Sequence, residues 1–260
     1  MKCLAQFPSL ALAACALLIG SAHAADAVES SLMKTVQARF PTIKIETVEP
    51  SPIPGIYQVI AGSQVVYVDA SGDHMIVGSM MDTRTKQNLS DQAIDTFYSI
   101  DFKSLPFNEA IKIVKGNGAR KIALFADPDC PYCERFERED MRSMTDVTVY
   151  LFLFPLEQLH PNAMADATKI WCSPDRASAW TNWMDSNTPI PGGGSCANDP
   201  IAKIAALARS LHINATPTIF LQSGRRIGGF LPLPQFEKLL AQASSPAAHA
   251  ELAASKSLPN

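Results

Sequence analysis

Cys130 and Cys133 follow directly on the apolar run Ile122-Ala123-Leu124-Phe125-Ala126 and open a charged stretch that reaches about Met144. This placement constrains the chain more than anything else in it. The apolar run reads as a buried central strand and the charged stretch as a helix, so the two thiols fall where a strand turns into a helix. At a helix start, two intervening residues bring the sulfurs within bonding distance. The free N–H groups of the first turn and the helix dipole stabilise a thiolate on Cys130. Cys133, one turn deeper, is more buried and attacks a mixed disulfide from behind. Pro131 lies in the first turn, where its missing N–H costs nothing. The pattern predicts thiol–disulfide exchange, with Cys130 as nucleophile and Cys133 as resolving thiol. Asp127, Asp129, Glu134 and Glu137 oppose it, since nearby carboxylates raise a thiol pKa. An inert staple and a zinc site are the competing readings. Zinc ribbons pair two Cys-x-x-Cys knuckles, and Cys172 and Cys196 do not make a second one.

The cysteine count depends on the N-terminus. Lys2 is the only charge before Asp26, a mostly apolar run extends from Leu10 to Gly20, and Ala22-His23-Ala24 is a small-x-small cleavage site. This is the pattern of an export signal, too short to span a bilayer comfortably. Leu12-Ala13-Ala14-Cys15 leaves lipoprotein processing as an alternative. Cleavage after Ala24 removes Cys3 and Cys15, leaving Cys130, Cys133, Cys172 and Cys196 of the 6 cysteines. An even set in an exported chain points to disulfide chemistry, and a bacterial style of signal points to the periplasm. Cys172 and Cys196, beside three tryptophans (Trp171, Trp180, Trp183) and a Gly-rich loop, read as a structural disulfide, with a second redox pair as the alternative. With 22 Lys and Arg against 25 Asp and Glu, there is no cationic handle for nucleic acid. No later stretch is apolar enough to insert in a membrane, and no cofactor or metal is called for.

Along the chain, Val28 to Phe40 carries a helical apolar face, followed by strand-like runs at Ile43–Ile45, Tyr57–Ile60, Val65–Val68 and His74–Val77. This small α+β module, near the size where a lone core is marginal, gains from dimerisation. Leu89–Lys103 reads as a connecting helix with Ser90 as N-cap. Strands follow at Ile111–Lys115 and Lys121–Ala126, joined by the tight turn Gly116-Asn117-Gly118. Another is expected at Val147–Phe154, and a last two at Thr218–Leu221 and Arg226–Phe230. Helices are expected at Asn162–Cys172, Arg176–Met184, Ile201–Leu211 and Pro234–Ala243. The expected division is a signal peptide at 1–24, an N-terminal domain at 25–88, a linker helix at 89–105, a catalytic domain at 106–243 and a mobile tail at 244–260.

Thr216-Pro217-Thr218 precedes an apolar strand, and its proline must sit at that strand's start or edge. A cis bond there would set the Thr216 backbone beside the dithiol with N–H and C=O free to dock an extended peptide. Thr216 and Pro217, with Pro131 and Tyr132 between the cysteines, are the candidate substrate-binding residues. Other features read plainly. His74 and His160 are lone structural histidines, Met80 and Met81 line an apolar face or dimer seam, and Arg225-Arg226 is a solvated turn. Asp127 is either a proton relay to Cys133 or a surface N-cap.

Phe125 through Cys133, Ile170-Trp171-Cys172 with Cys196, Thr216-Pro217-Thr218, and Val66 through Gly78 together resemble the bacterial DsbC/DsbG family of periplasmic disulfide isomerases. The resemblance covers nearly the whole mature chain. It implies an α+β and α/β chain, with a C-terminal thioredoxin-like fold carrying a helical insertion and a small cystatin-like N-terminal dimerisation domain. It implies a V-shaped homodimer with an apolar cleft for misfolded disulfide-containing proteins, and a dithiol kept reduced by the membrane reductant DsbD. The body is similar to DsbC, whereas Pro131-Tyr132 between the cysteines is similar to DsbG. A DsbA-like oxidase, a dimeric holdase and a DsbG-like reductase for specific clients are the competing functions.

Overall fold

The computed structural model describes residues 20–62, 64–191, 195–229 and 231–243. The leader up to residue 19, with Cys3 and Cys15, and the tail at 244–260 lie outside the described residues. The chain divides into two compact units, Met1–Ile94 and Asp95–Asn260.

In the first unit, α1 (Gly20–Arg39) packs on an antiparallel sheet of β1 (Ile45–Pro50), β2 (Ile56–Ala61), β3 (Gln64–Asp69) and β4 (Met75–Val77), in that order. α1 begins ahead of both the expected cleavage point and the expected start at Val28. Leu32 and Val36 of its apolar face are buried against Val48, Val59 and Val68, whereas Val28 and Phe40 are exposed. β1 starts at the last residue of the expected run Ile43–Ile45 and continues through Pro50. It is an edge strand, where a missing N–H is tolerated. β4 is the opposite edge, and its Met75, Ile76 and Val77 are all exposed. His74 is not alone but pairs with Asp69 at 2.8 Å.

A ribbon of β5 (Met81–Asp82) and β6 (Gln87–Asn88) leads into α2 (Leu89–Tyr98). The helix stops short of the expected Lys103, and the chain continues in 3-10 turns at Phe102–Ser104 and Phe107–Glu109. Its N-cap is Asn88, whose Oδ1 accepts from the N–H groups of Ser90 and Asp91 at 3.1 and 3.2 Å. Ser90, the expected cap, is buried. Its hydroxyl bonds Tyr67 and accepts from the Met80 N–H.

The second unit runs β7 (Ile111–Lys115), β8 (Arg120–Ala126), α3 (Pro131–Arg135), β9 (Val147–Leu153), α4 (Ala163–Cys172), α5 (Arg176–Ser186), α6 (Ile201–Ser210), β10 (Thr218–Leu221), β11 (Arg226–Gly228) and α7 (Leu233–Ala243). The strands form one sheet in the order β11-β10-β8-β9-β7. Gly116-Asn117-Gly118 therefore closes no hairpin. β7 and β8 lie on either side of β9, antiparallel and parallel to it. The turn needs its glycines, because a Cβ on Gly118 would stand 2.6 Å from Thr148 Oγ1.

Period-two alternation sorts the central strands between two cores. Ile122, Leu124, Val149 and Leu151 face the helices α3, α4, α5 and α7, and Phe125, Phe152 and Phe220 face α6. Phe125 and Phe152 stack with centroids 4.7 Å apart, worth about 1 kcal/mol beyond burial. The charged stretch after Cys133 is not one long α-helix: α3 ends at Arg135 and a π-helical segment, Phe136–Met141, follows. Nor is Arg225-Arg226 a solvated turn. Arg225 pairs with Asp95 at 2.9 Å, and the Arg226 guanidinium lies 4.5 Å above the Tyr98 ring, so both hold the end of α2.

Candidate active site

Cys130 is the N-cap residue of α3, in extended conformation, with Pro131 at the first helical position. Both cysteines are free thiols and buried. Thr216–Pro217 is a cis peptide, and Thr216 lies opposite the dithiol: the Cys130 thiol donates to the Thr216 carbonyl at 3.4 Å. That carbonyl, expected to be free for a peptide, is thus engaged while the dithiol is reduced. The Thr216 hydroxyl is buried with no hydrogen-bond partner among the described residues, which leaves it able to turn to a thiolate.

The two sulfurs are electrostatically unequal. The Cys130 thiol is brought down to about 5, chiefly by a hydrogen bond from the Cys133 thiol, with burial opposing. The Thr216 side chain and the backbone N–H groups of Cys133 and Tyr132 add to the lowering. Cys133 is held well above the usual thiol range, first by burial and then by its bond and proximity to Cys130. Donors, more than the expected acid cluster, set the thiolate. Asp129 is itself pushed up by burial and by Asp166 and Asp127.

Asp127 is fully buried, so it is no surface cap. Its Oδ1 accepts from the Asp129 N–H at 2.8 Å, and its Oδ2 accepts from the Leu156 N–H at 2.6 Å and faces His160 Nδ1 at 2.9 Å. His160 is therefore no lone histidine. Parallel pairing is the signal that was available: β8 and β9 end side by side, so residues following each strand meet.

Glu137 is likewise buried and accepts from Trp180 Nε1 at 2.6 Å. Burial raises its carboxyl to about 7. Trp183 Nε1 donates to the Pro128 carbonyl at 2.8 Å. Both tryptophans belong to α5, in the insert that Cys172–Cys196 closes with Cα atoms 5.5 Å apart.

Cys130, Cys133 and Thr216 thus gather at one point. Pro131 and Tyr132 are exposed beside it, Tyr132 at 61%, and Pro217 is buried. Cys172 and Cys196 form their own bond in the insert. Among the described residues no three His, Cys, Asp or Glu side chains are grouped as metal ligands.

A profile of the thioredoxin-like domain matches residues 107–244, and one of the disulfide bond isomerase protein N-terminal domain matches residues 21–91. The probable thiol:disulfide interchange protein DsbC of Bordetella avium (strain 197N) is 33% identical over 215 residues, 83% of this chain and 76% of that protein. The thiol:disulfide interchange protein DsbC of Escherichia coli (strain K12) is 28% identical over 202 residues, 76% of this chain and 82% of that one. Among solved structures, a disulfide interchange protein from Neisseria gonorrhoeae is 44% identical, covers 54% of this chain and 99% of its own, and superposes with a TM-score of 0.51.

Proposed function

The chain belongs to the DsbC family of thiol:disulfide interchange proteins, and from that premise we propose that it serves exported proteins as a disulfide isomerase and reductase through Cys130 and Cys133. The observation that carries the roles is the split between the sulfurs, one held as a thiolate at about 5 and the other kept as a buried thiol. The Cys130 thiolate attacks one sulfur of a wrong disulfide. A Cys130–substrate disulfide forms, the substrate bond breaks, and the released substrate thiolate takes a proton. In isomerisation another substrate thiolate attacks the mixed disulfide, which restores Cys130 with no net redox change. When that stalls, Cys133 loses its proton and attacks Cys130 Sγ. The substrate then leaves reduced and the protein carries a Cys130–Cys133 disulfide. Thr216 and Pro217 dock the substrate backbone, Pro131 and Tyr132 meet its side chains, and Cys172–Cys196 is structural.

The finer reading follows the family. The protein works in the periplasm after cleavage near Ala24, the dithiol is recharged by the membrane reductant DsbD, and the first unit makes a homodimer. The exposed apolar edge of β4, with Ile76 at 60% and Val77 at 77%, supports a covered edge of that kind. The test is the redox state of Cys130 and Cys133 in cells, by acid quench and alkylation, with and without the membrane reductant. The expected result is a mainly reduced pair that becomes oxidised when the reductant is absent. A pair oxidised in both conditions would overturn the reading in favour of an oxidase.

A further inference from the structure

We propose that His160 is a positioning residue for exchange at Cys130: seated on the Asp127 carboxylate, its imidazolium cancels the negative charge buried behind the dithiol and biases Cys130 toward its thiolate, so that the reactivity of the pair follows the protonation of His160. The inference rests on Cys130 being the attacking thiol. Asp127 is wired to the site through its backbone, since the Cys130 N–H donates to the Asp127 carbonyl at 3.2 Å. Of the donors on its carboxylate, the Asp129 and Leu156 amides are fixed, and His160 is the one that can change charge. The His160 side chain is 21% exposed and reaches solvent, whereas the Asp127 side chain is fully buried.

The charged and titratable groups facing His160 are Asp127, Asp129 and Cys130, and behind Asp129 stand Asp166 and Lys169. The groups facing His160 hold its proton above the ordinary range, the bond to Asp127 most of all, against burial. Coupling between two sites is reciprocal, so a Cys130 thiolate that favours the imidazolium is favoured by it to the same extent. A carboxylate without the cation would act on Cys130 in the opposite sense.

The experiment is the pH profile of Cys130 alkylation by iodoacetamide in the reduced protein, compared with His160→Gln, which keeps a donor but loses the charge, and His160→Lys, which keeps a charge. In His160→Gln the midpoint should rise by roughly half a unit, about threefold less thiolate on the acid side. His160→Lys should return toward the wild type. An unchanged midpoint in His160→Gln, or His160→Lys matching His160→Gln, overturns the proposal. Should either variant fold poorly, the wild type answers alone. Forming the Cys130–Cys133 disulfide removes the thiolate, so the ring titration of His160 followed by NMR should move down on oxidation, and an identical titration in both states overturns the coupling. If Cys130 is not the faster of the two thiols in the wild type, the site reading itself fails. If it is faster and insensitive to His160, only this inference falls.

Discussion

Cys130 and Cys133 sit at the end of β8 as free thiols, whereas Cys172 and Cys196, 24 positions apart, are joined across the insert. The sulfur chemistry is the same, and the surroundings assign the work. Around Cys130 are a neighbouring thiol, backbone N–H groups and a buried hydroxyl, all of which stabilise an anion that must form and leave in every cycle. The other pair closes a loop across a separation of 24, where a bond restricts the unfolded chain. The two are connected through α5, whose Trp183 holds the Pro128 carbonyl and whose Trp180 holds Glu137. The quiet pair thereby braces the segment that carries the reactive one.

That contrast can be broken at several points. The largest effect belongs to the reactive pair. Cys130→Ser should abolish reduction of a disulfide substrate, and Cys133→Ser should accumulate mixed disulfides visible on a non-reducing gel. If Cys133→Ser traps nothing and Cys130→Ser does, the assignments are reversed. For the joined pair, Cys172→Ser with Cys196→Ser should lower unfolding stability by about 3.5 kcal/mol in urea titration, while Cys130 keeps its low pKa. A simultaneous loss of that thiolate would show that the insert does more than brace.

Glu137 gives a pH signature. Its folded pKa, about 7, lies above the ordinary value of 4.5, so folding favours the protonated form. Stability is full below about 4.5 and is lost as pH rises through about 7, by an amount of order 3 kcal/mol. Urea midpoints of the wild type should fall over that window, and those of Glu137→Gln should stay level by comparison. The smallest effect is Trp183→Phe, which removes one hydrogen bond to Pro128 and should cost about 1 kcal/mol in the same titration.

The sheet of the second unit was legible because alternation and continuous apolar runs are local signals. Ile122 to Ala126 and Val147 to Leu153 could hardly be anything but buried strands. The dithiol was equally plain, since spacing and position carry its chemistry. Pairing was not. Gly116-Asn117-Gly118 looks like a hairpin turn, but the strand that inserts beside β7 is β9, which the chain reaches only after β8 and its helix. His160 was misread for the same reason: its partner lies across a parallel pair, at a separation no local pattern records. Asn88 displaced Ser90 as a cap because Ser90 had a buried tertiary use, and tertiary bonds override capping preference.

Trp171, Trp180 and Trp183 are the chain's 3 tryptophans, and all belong to the insert. Tryptophan emission, excited where tyrosine does not absorb, therefore originates within the insert. Two of its sources are tethered by their indole N–H groups to the segment around Cys130. Tryptophan fluorescence is, for this chain, an optical window on the insert and, through the two tethered indoles, on the segment around Cys130, so reduction at the site can be timed without adding a label.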